Sequence, residues 1–217
     1  MQLYGHPFSS YTQKALTALY ENATAFKFLE LSRDFPQNNA EFARRWPLRR
    51  FPILVDGERQ VMEATCIIEY LVVHRPGPSR LIPANADAAI EVRMLDRFFD
   101  NYIHTPVQKA VFNQLRPERD RDPYGVDEAR RMLDTAYAWL DRQMAEREWA
   151  AGDTFSLADC AAAPALFYAD WVHEIGAGFN NVRAYRARLL ARRSFARCVE
   201  QARPYRPWFP LGAPDRD

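Results

Sequence analysis

The segment Pro76-Gly77-Pro78-Ser79-Arg80-Leu81-Ile82-Pro83 constrains this chain more than any other. Three prolines and a glycine in eight residues stop helical and strand periodicity alike. Upstream the apolar pattern alternates between strand and helix; downstream it is helical throughout. Before the break, residues 2–4 read as a short strand ended by Gly5-His6-Pro7, with His6 a turn residue. Ala15, Leu16, Ala18 and Leu19 recur at helical spacing and predict a helix over 11–20. Residues 25–31 read as a second strand, 41–46 as a short helix and 51–55 as a third strand. Asp56-Gly57 is a hairpin signal, with Gln60-Val61-Met62 returning. Residues 64–74 place Ile67, Ile68, Leu71 and Val72 on one helix face. The order is βαβαββα, an α/β unit expected over 1–76, with 77–85 as linker. Helical patterns then cover 86–115, 126–146, 157–175 and 182–201, giving an all-α unit over 86–203. The four prolines of 204–217 predict an extended C-terminal tail.

A chain of 217 residues suits one large domain or two small ones. Its 48% hydrophobic and 26% charged residues fill a sizeable core and argue against disorder. With 29 basic against 28 acidic residues, no general field favours nucleic acid or a membrane surface as a partner. Residues 183–203 carry seven arginines and one acid, Glu200, which reads either as a solvated helix face or as a basic docking surface. Cys66, Cys160 and Cys198 are sparse, odd in number and without metal-ligand spacing, so neither a metal nor a disulfide framework is expected. Cys66 reads as a small core residue of the third helix. The first residues lack a signal-peptide pattern, and no apolar run nears the roughly 18 to 20 residues of a membrane span. A cytoplasmic location is expected.

Three short constellations carry chemistry. Ser10 followed by Gln13 fits a helix capping box, which leaves Ser9 just before the helix with its hydroxyl free to point outward. A hydroxyl at a helix N-terminus can hold an anion by a charge-assisted hydrogen bond, aided by the helix dipole. Serine has no evident base here, so the better client is a bound thiol. A free thiol of pKa near ~8.5 is only about 3% ionised at pH 7, and lowering it by about two units needs roughly 2.7 kcal/mol of differential interaction. In Arg49-Arg50-Phe51-Pro52 the X-Pro bond is trans by default; a cis bond would turn the Phe51 backbone toward a peptide ligand. Glu63 precedes a helix, where its carboxylate either bonds the free amides or accepts a ligand ammonium.

Taken in order, Ser9-Ser10-Tyr11-x-x-Lys14-Ala15, then Arg50-Phe51-Pro52-Ile53-Leu54, then Glu63-x-x-x-Ile67-x-x-Tyr70-Leu71 resemble the glutathione-binding half of cytosolic glutathione transferases. Phe155-Ser156-Leu157-Ala158-Asp159 resembles the capping box of a core helix in that family's second domain, so the likeness runs from Leu3 to about Phe195. The resemblance implies a thioredoxin-like N-terminal domain and a helical C-terminal one, a homodimer, and glutathione as co-substrate without a metal. It implies that Ser9 meets the glutathione sulfur, as in the serine-type classes. Phe51, before Pro52, would pair with the cysteinyl backbone, Arg50 would stand near the glycyl carboxylate, and Glu63 would meet the γ-glutamyl amine. The family's serine after that glutamate is Ala64 here, leaving an amide without a hydroxyl, and Thr65 is expected to replace it in part. No cysteine stands at 9, 10 or 11, which disfavours the cysteine-based lyase, thiol-transfer and isomerase members. By analogy a small hydrophobic electrophile would sit among Phe8, Tyr11 and Tyr102, with Phe98 and Phe112 nearby, and Asp100 would reach a partner subunit's glutathione. Conjugation, a peroxidase role on the same thiolate, and a non-catalytic interaction or ligand-carrying role stay open.

Overall fold

The computed structural model describes Met1–Asp217. Four strands, β1 (Gln2–Gly5), β2 (Lys27–Glu30), β3 (Ile53–Asp56) and β4 (Arg59–Met62), form one sheet in the order β2-β1-β3-β4. β1 pairs parallel with β2 and antiparallel with β3, in the register Leu3 to Phe28 and Leu3 to Leu54. The parallel pair requires a crossover, supplied by α1 (Ser10–Glu21). The β3–β4 hairpin turns at Gly57-Glu58, where Gly57 adopts φ +62°, a conformation free of penalty for a residue without Cβ. Two more helices complete this half, α2 (Pro36–Arg45) and α3 (Ala64–His74). The α2 helix begins five residues earlier than its apolar pattern predicts, because Pro36 suits a first helical turn.

Residues 76–83 are a docked connection. Leu81 is fully buried, its carbonyl accepts from the Leu157 amide at 2.8 Å, and the Ser79 amide donates to the Asn22 side chain. Beyond it lie α4 (Ala86–Phe98), α5 (Thr105–Gln114), α6 (Pro123–Gln143), α7 (Leu157–Val172), α8 (Asn180–Ala191) and α9 (Arg193–Ala202). The single helix expected over 86–115 is interrupted by a π turn at Phe99–His104. Pro106 has no amide to give the Tyr102 carbonyl and its ring would collide with it, and the wider turn just before it accommodates the ring. The Thr105 amide and hydroxyl both donate instead to the Asp100 carbonyl. The helix expected over 182–201 is likewise two, broken at Arg192 with ψ 126°.

Helix α7 is buried on all sides and carries the predicted capping box. The Ser156 hydroxyl accepts from the Ala158 amide at 3.2 Å, and the Asp159 carboxylate accepts from the Ser156 amide at 2.8 Å. Such a cap contributes about 1 kcal/mol. One continuous cluster of buried apolar side chains joins the halves, with Leu3, Leu16 and Ile67 at one end and Leu166, Tyr185 and Phe195 at the other.

Two further expectations need correcting. Cys66 is exposed, since α3 buries Ala64, Ile67, Ile68 and Leu71 and position 66 falls off that face. The tail is not extended over the surface: Arg203–Trp208 forms a 3-10 helix, and Phe209 is buried against Phe8, Tyr168 and Trp171. Much of the arginine-rich stretch is engaged within the chain. Arg186 pairs with Asp170, Arg192 with Glu21, Arg203 with Glu200 and Asp217, and Arg192 lies over Phe155.

Candidate functional site

A cleft of about 680 Å³ opens where the turn between β1 and α1 meets the helical half. Gly5 lets the two approach: a Cβ there would lie 2.6 Å from Thr12 Cγ2. His6 turns the chain, its Nδ1 accepting from the Phe8 amide at 3.2 Å. The start of α1 then differs from expectation. Ser9 is the N-cap, with φ −89° and ψ 125°, and its Oγ accepts from the Thr12 amide at 3.3 Å. Ser10 is the first helical residue and makes no cap; its Oγ lies 2.7 Å from His104 Nε2. Gln13 is buried and donates to the Pro7 carbonyl and the Tyr168 hydroxyl, so no Ser10–Gln13 capping box exists. The partner that Gln13 takes instead lies 155 residues away, invisible to a local motif.

From the sheet side come Arg49, Arg50, Phe51 and Pro52, and the Phe51–Pro52 bond is cis. Neither Arg49 nor Arg50 is held in an ion pair, which leaves two guanidiniums at the mouth of the cleft. Glu63 follows β4 at φ +65° and makes no side-chain cap bond to α3, so its carboxylate is uncommitted at the helix N-terminus beside Ala64. A non-glycine residue in this backbone region stores on the order of 1–3 kcal/mol, a cost met typically at ligand-holding positions.

The helical half contributes an apolar wall: Val107, Val111 and Phe112 from α5, Tyr168 from α7, and Trp208 and Phe209 from the C-terminal segment. Phe8 stands edge-on to Tyr168, and Tyr11 stands edge-on to His104 at 4.6 Å. Burial, reinforced by the nearby Asp100 carboxylate, raises the Tyr11 phenol well above its ordinary value and keeps it protonated. Burial and the charge of Lys14 lower His104 to about 3, so its imidazole is neutral.

The cleft thus gathers Ser9, Arg50, Phe51, Pro52, Glu63, Ala64, Phe8 and Tyr11. It does not include Thr65 or Tyr102. The Thr65 hydroxyl accepts from Lys14 Nζ at 2.9 Å and donates to Asp96 at 2.9 Å, behind the site. Tyr102 is 51% exposed on the outer face and packs on Phe98. Asp100 is held within the chain by Lys14 Nζ at 2.8 Å and by Arg97. Sequence reasoning missed His104, Gln108 and the wall from Trp208 to Pro210. No local signal joins His104 to a serine 94 residues away.

Two family models match the chain: the glutathione S-transferase N-terminal domain over residues 3–79 and the glutathione S-transferase C-terminal domain over residues 123–188. Glutathione S-transferase GstB of Escherichia coli is 28% identical over 171 residues, covering 76% of this chain and 81% of its own. A probable maleylacetoacetate isomerase of Vibrio cholerae is 27% identical over 213 residues, covering 93% of this chain and 96% of its own. Among solved structures, a glutathione S-transferase of Methylobacterium radiotolerans in complex with glutathione sulfonate superposes with a TM-score of 0.79 at 28% identity, covering 91% of this chain and 93% of that one.

Proposed function

We propose, for a chain that belongs to the glutathione S-transferase family, that the cleft binds glutathione and activates its sulfur for attack on a small hydrophobic electrophile. In this reading residues 1–76 form the glutathione-binding domain, 77–85 the linker, 86–203 the helical domain and 204–217 the tail. The observation that carries it is the gathering of three separated segments, at Ser9, at Arg50 to Pro52 and at Glu63, around one cleft whose far wall is aromatic. The Ser9 hydroxyl already accepts the Thr12 amide, so its own proton is available to donate to the sulfur. Glu63 takes the γ-glutamyl ammonium, the Ala64 amide its carboxylate, the Phe51 backbone the cysteinyl unit, and Arg50 with Arg49 the glycyl carboxylate.

Catalysis then comes from two sources. The thiolate fraction rises through the Ser9 hydrogen bond and the α1 N-terminus, the thiol proton leaving to solvent. The electrophile is held against the sulfur by Phe8, Tyr11, Val111 and Phe209, and the new carbon–sulfur bond forms as the leaving group departs. Reduction of organic hydroperoxides draws on the same thiolate. A second copy of the chain is read as covering the exposed stripe of Ile90, Met94 and Tyr102.

Isothermal titration with glutathione tests this reading. Wild type is expected to bind in the micromolar to millimolar range with release of a proton at pH 7, and Ser9→Ala to bind with little release. Absence of binding at several millimolar defeats the proposal and leaves a non-catalytic role for the fold.

A further inference from the structure

Two hydroxyls stand at the N-terminus of α1, and they face different partners. Ser9 accepts the Thr12 amide, whereas Ser10 turns toward the π turn and meets His104 Nε2 at 2.7 Å. His104 is 5% exposed, and its Nδ1 is buried without a partner in the protein. A neutral imidazole carries one proton. With that proton on Nδ1, a buried N–H would lack an acceptor; with it on Nε2, only a lone pair goes unmatched. Orphaned N–H groups are the rarer of the two in folded proteins. Nε2–H therefore donates to Ser10 Oγ, and the Ser10 hydroxyl proton is left to point elsewhere. The Tyr11 ring, edge-on to the imidazole, holds it in this orientation. Ser9, Ser10, Tyr11 and His104 all line the cleft.

We propose that Ser10 is a second hydroxyl donor to the glutathione sulfur, and that His104 is the positioning residue that turns the Ser10 proton into the cleft. The proposal rests on the glutathione reading above. His104 neither takes nor gives a proton in this scheme; it fixes a direction, and the π turn is what brings it within reach of Ser10. Two O–H donors at one sulfur favour the thiolate over the thiol, since each bond strengthens when its acceptor is charged. The other charges around this corner are Lys14 on α1, Asp96 and Arg97 on α4, Asp100 on the π turn, Glu63 before α3, and Arg49 and Arg50 at the mouth. They are unchanged among the variants below.

The test titrates the thiol of bound glutathione against pH by its ultraviolet thiolate absorbance. Ser10→Ala is expected to raise the bound thiol's pKa by about half to one unit, with less than about a threefold change in glutathione Kd. His104→Gln, whose amide N–H can stand in for Nε2–H, is expected to keep the low value, and His104→Leu to lose it. In a Ser10→Ala background His104→Leu is expected to add no further shift. Ser10→Ala alone decides the matter should His104→Leu not fold, because alanine suits a first helical position. Titration of Ser10→Ala as wild type, while Ser9→Ala shifts, would falsify the proposal and leave the functional reading intact. A wild type that binds no glutathione overturns the functional reading itself.

Discussion

Glu63 combines three properties that rarely coincide: a positive φ, a helix N-terminus behind it and a carboxylate that makes no cap bond. If the strain serves ligand binding, relieving it should separate stability from affinity. Glu63→Gly is expected to raise stability by about 1 kcal/mol, the relief of about 1–3 less the entropy cost of glycine, while glutathione affinity falls at least tenfold. Thermal unfolding and calorimetry on the same samples check both halves. His104 makes a second prediction at this scale. Its unfolded-state value lies near 6.5 and its folded value near 3. Between these the unfolded chain binds the extra proton, so stability contributed by His104 is whole above pH 6.5 and declines as pH falls, by about 1.4 kcal/mol per unit. Urea unfolding of His104→Gln should show a shallower loss over that window than wild type; parallel curves would refute the assignment. At the residue scale, what local chemistry decides was readable: Gly57 in its turn, Ser156 and Asp159 in their box. What a distant partner decides was not, as Ser10 with His104 and Gln13 with Tyr168 show.

Among the elements, α1 governs the rest, since it carries the two cleft-lining serines at one end and a buried cation one turn on. Lys14 is 1% exposed, with Asp96 at 2.6 Å, Asp100 at 2.8 Å and the Thr65 hydroxyl at 2.9 Å. A buried ion pair contributes little net stability, but removing one partner strands the other. Lys14→Met is therefore expected to destabilise by about 3 kcal/mol, read from urea unfolding, with Asp96 and Asp100 left to the half-exposed Arg97 alone. The order of strands and helices followed from periodicity, because each amphipathic face is encoded within a few turns. The π turn was hidden because a helix of that apolar pattern reads as continuous until the Pro106 ring is placed against the Tyr102 carbonyl. The break at Arg192 was hidden for a related reason: α8 and α9 each present apolar residues to one core, so the pattern runs on across the corner.

In the molecule as a whole, the cleft exists only where the halves meet, and Phe209 adds to its apolar wall from the far end of the chain. The exposed stripe of Ile90 and Met94 leads to a prediction at this scale: Met94→Glu should sediment as a monomer where wild type sediments as a dimer, with α-helical content unchanged. A wild type that is monomeric at high concentration removes the dimer from the proposal. The Lys14 cluster has a last consequence, for inheritance rather than for stability. Its cation belongs to the first half and both of its carboxylates to the second, so a crossover at the proline-rich junction separates them. Recombination between relatives at this natural seam yields viable offspring only when both parents carry the same buried charges, and shuffled libraries cut there should retain Lys14 together with Asp96 and Asp100, or none of the three.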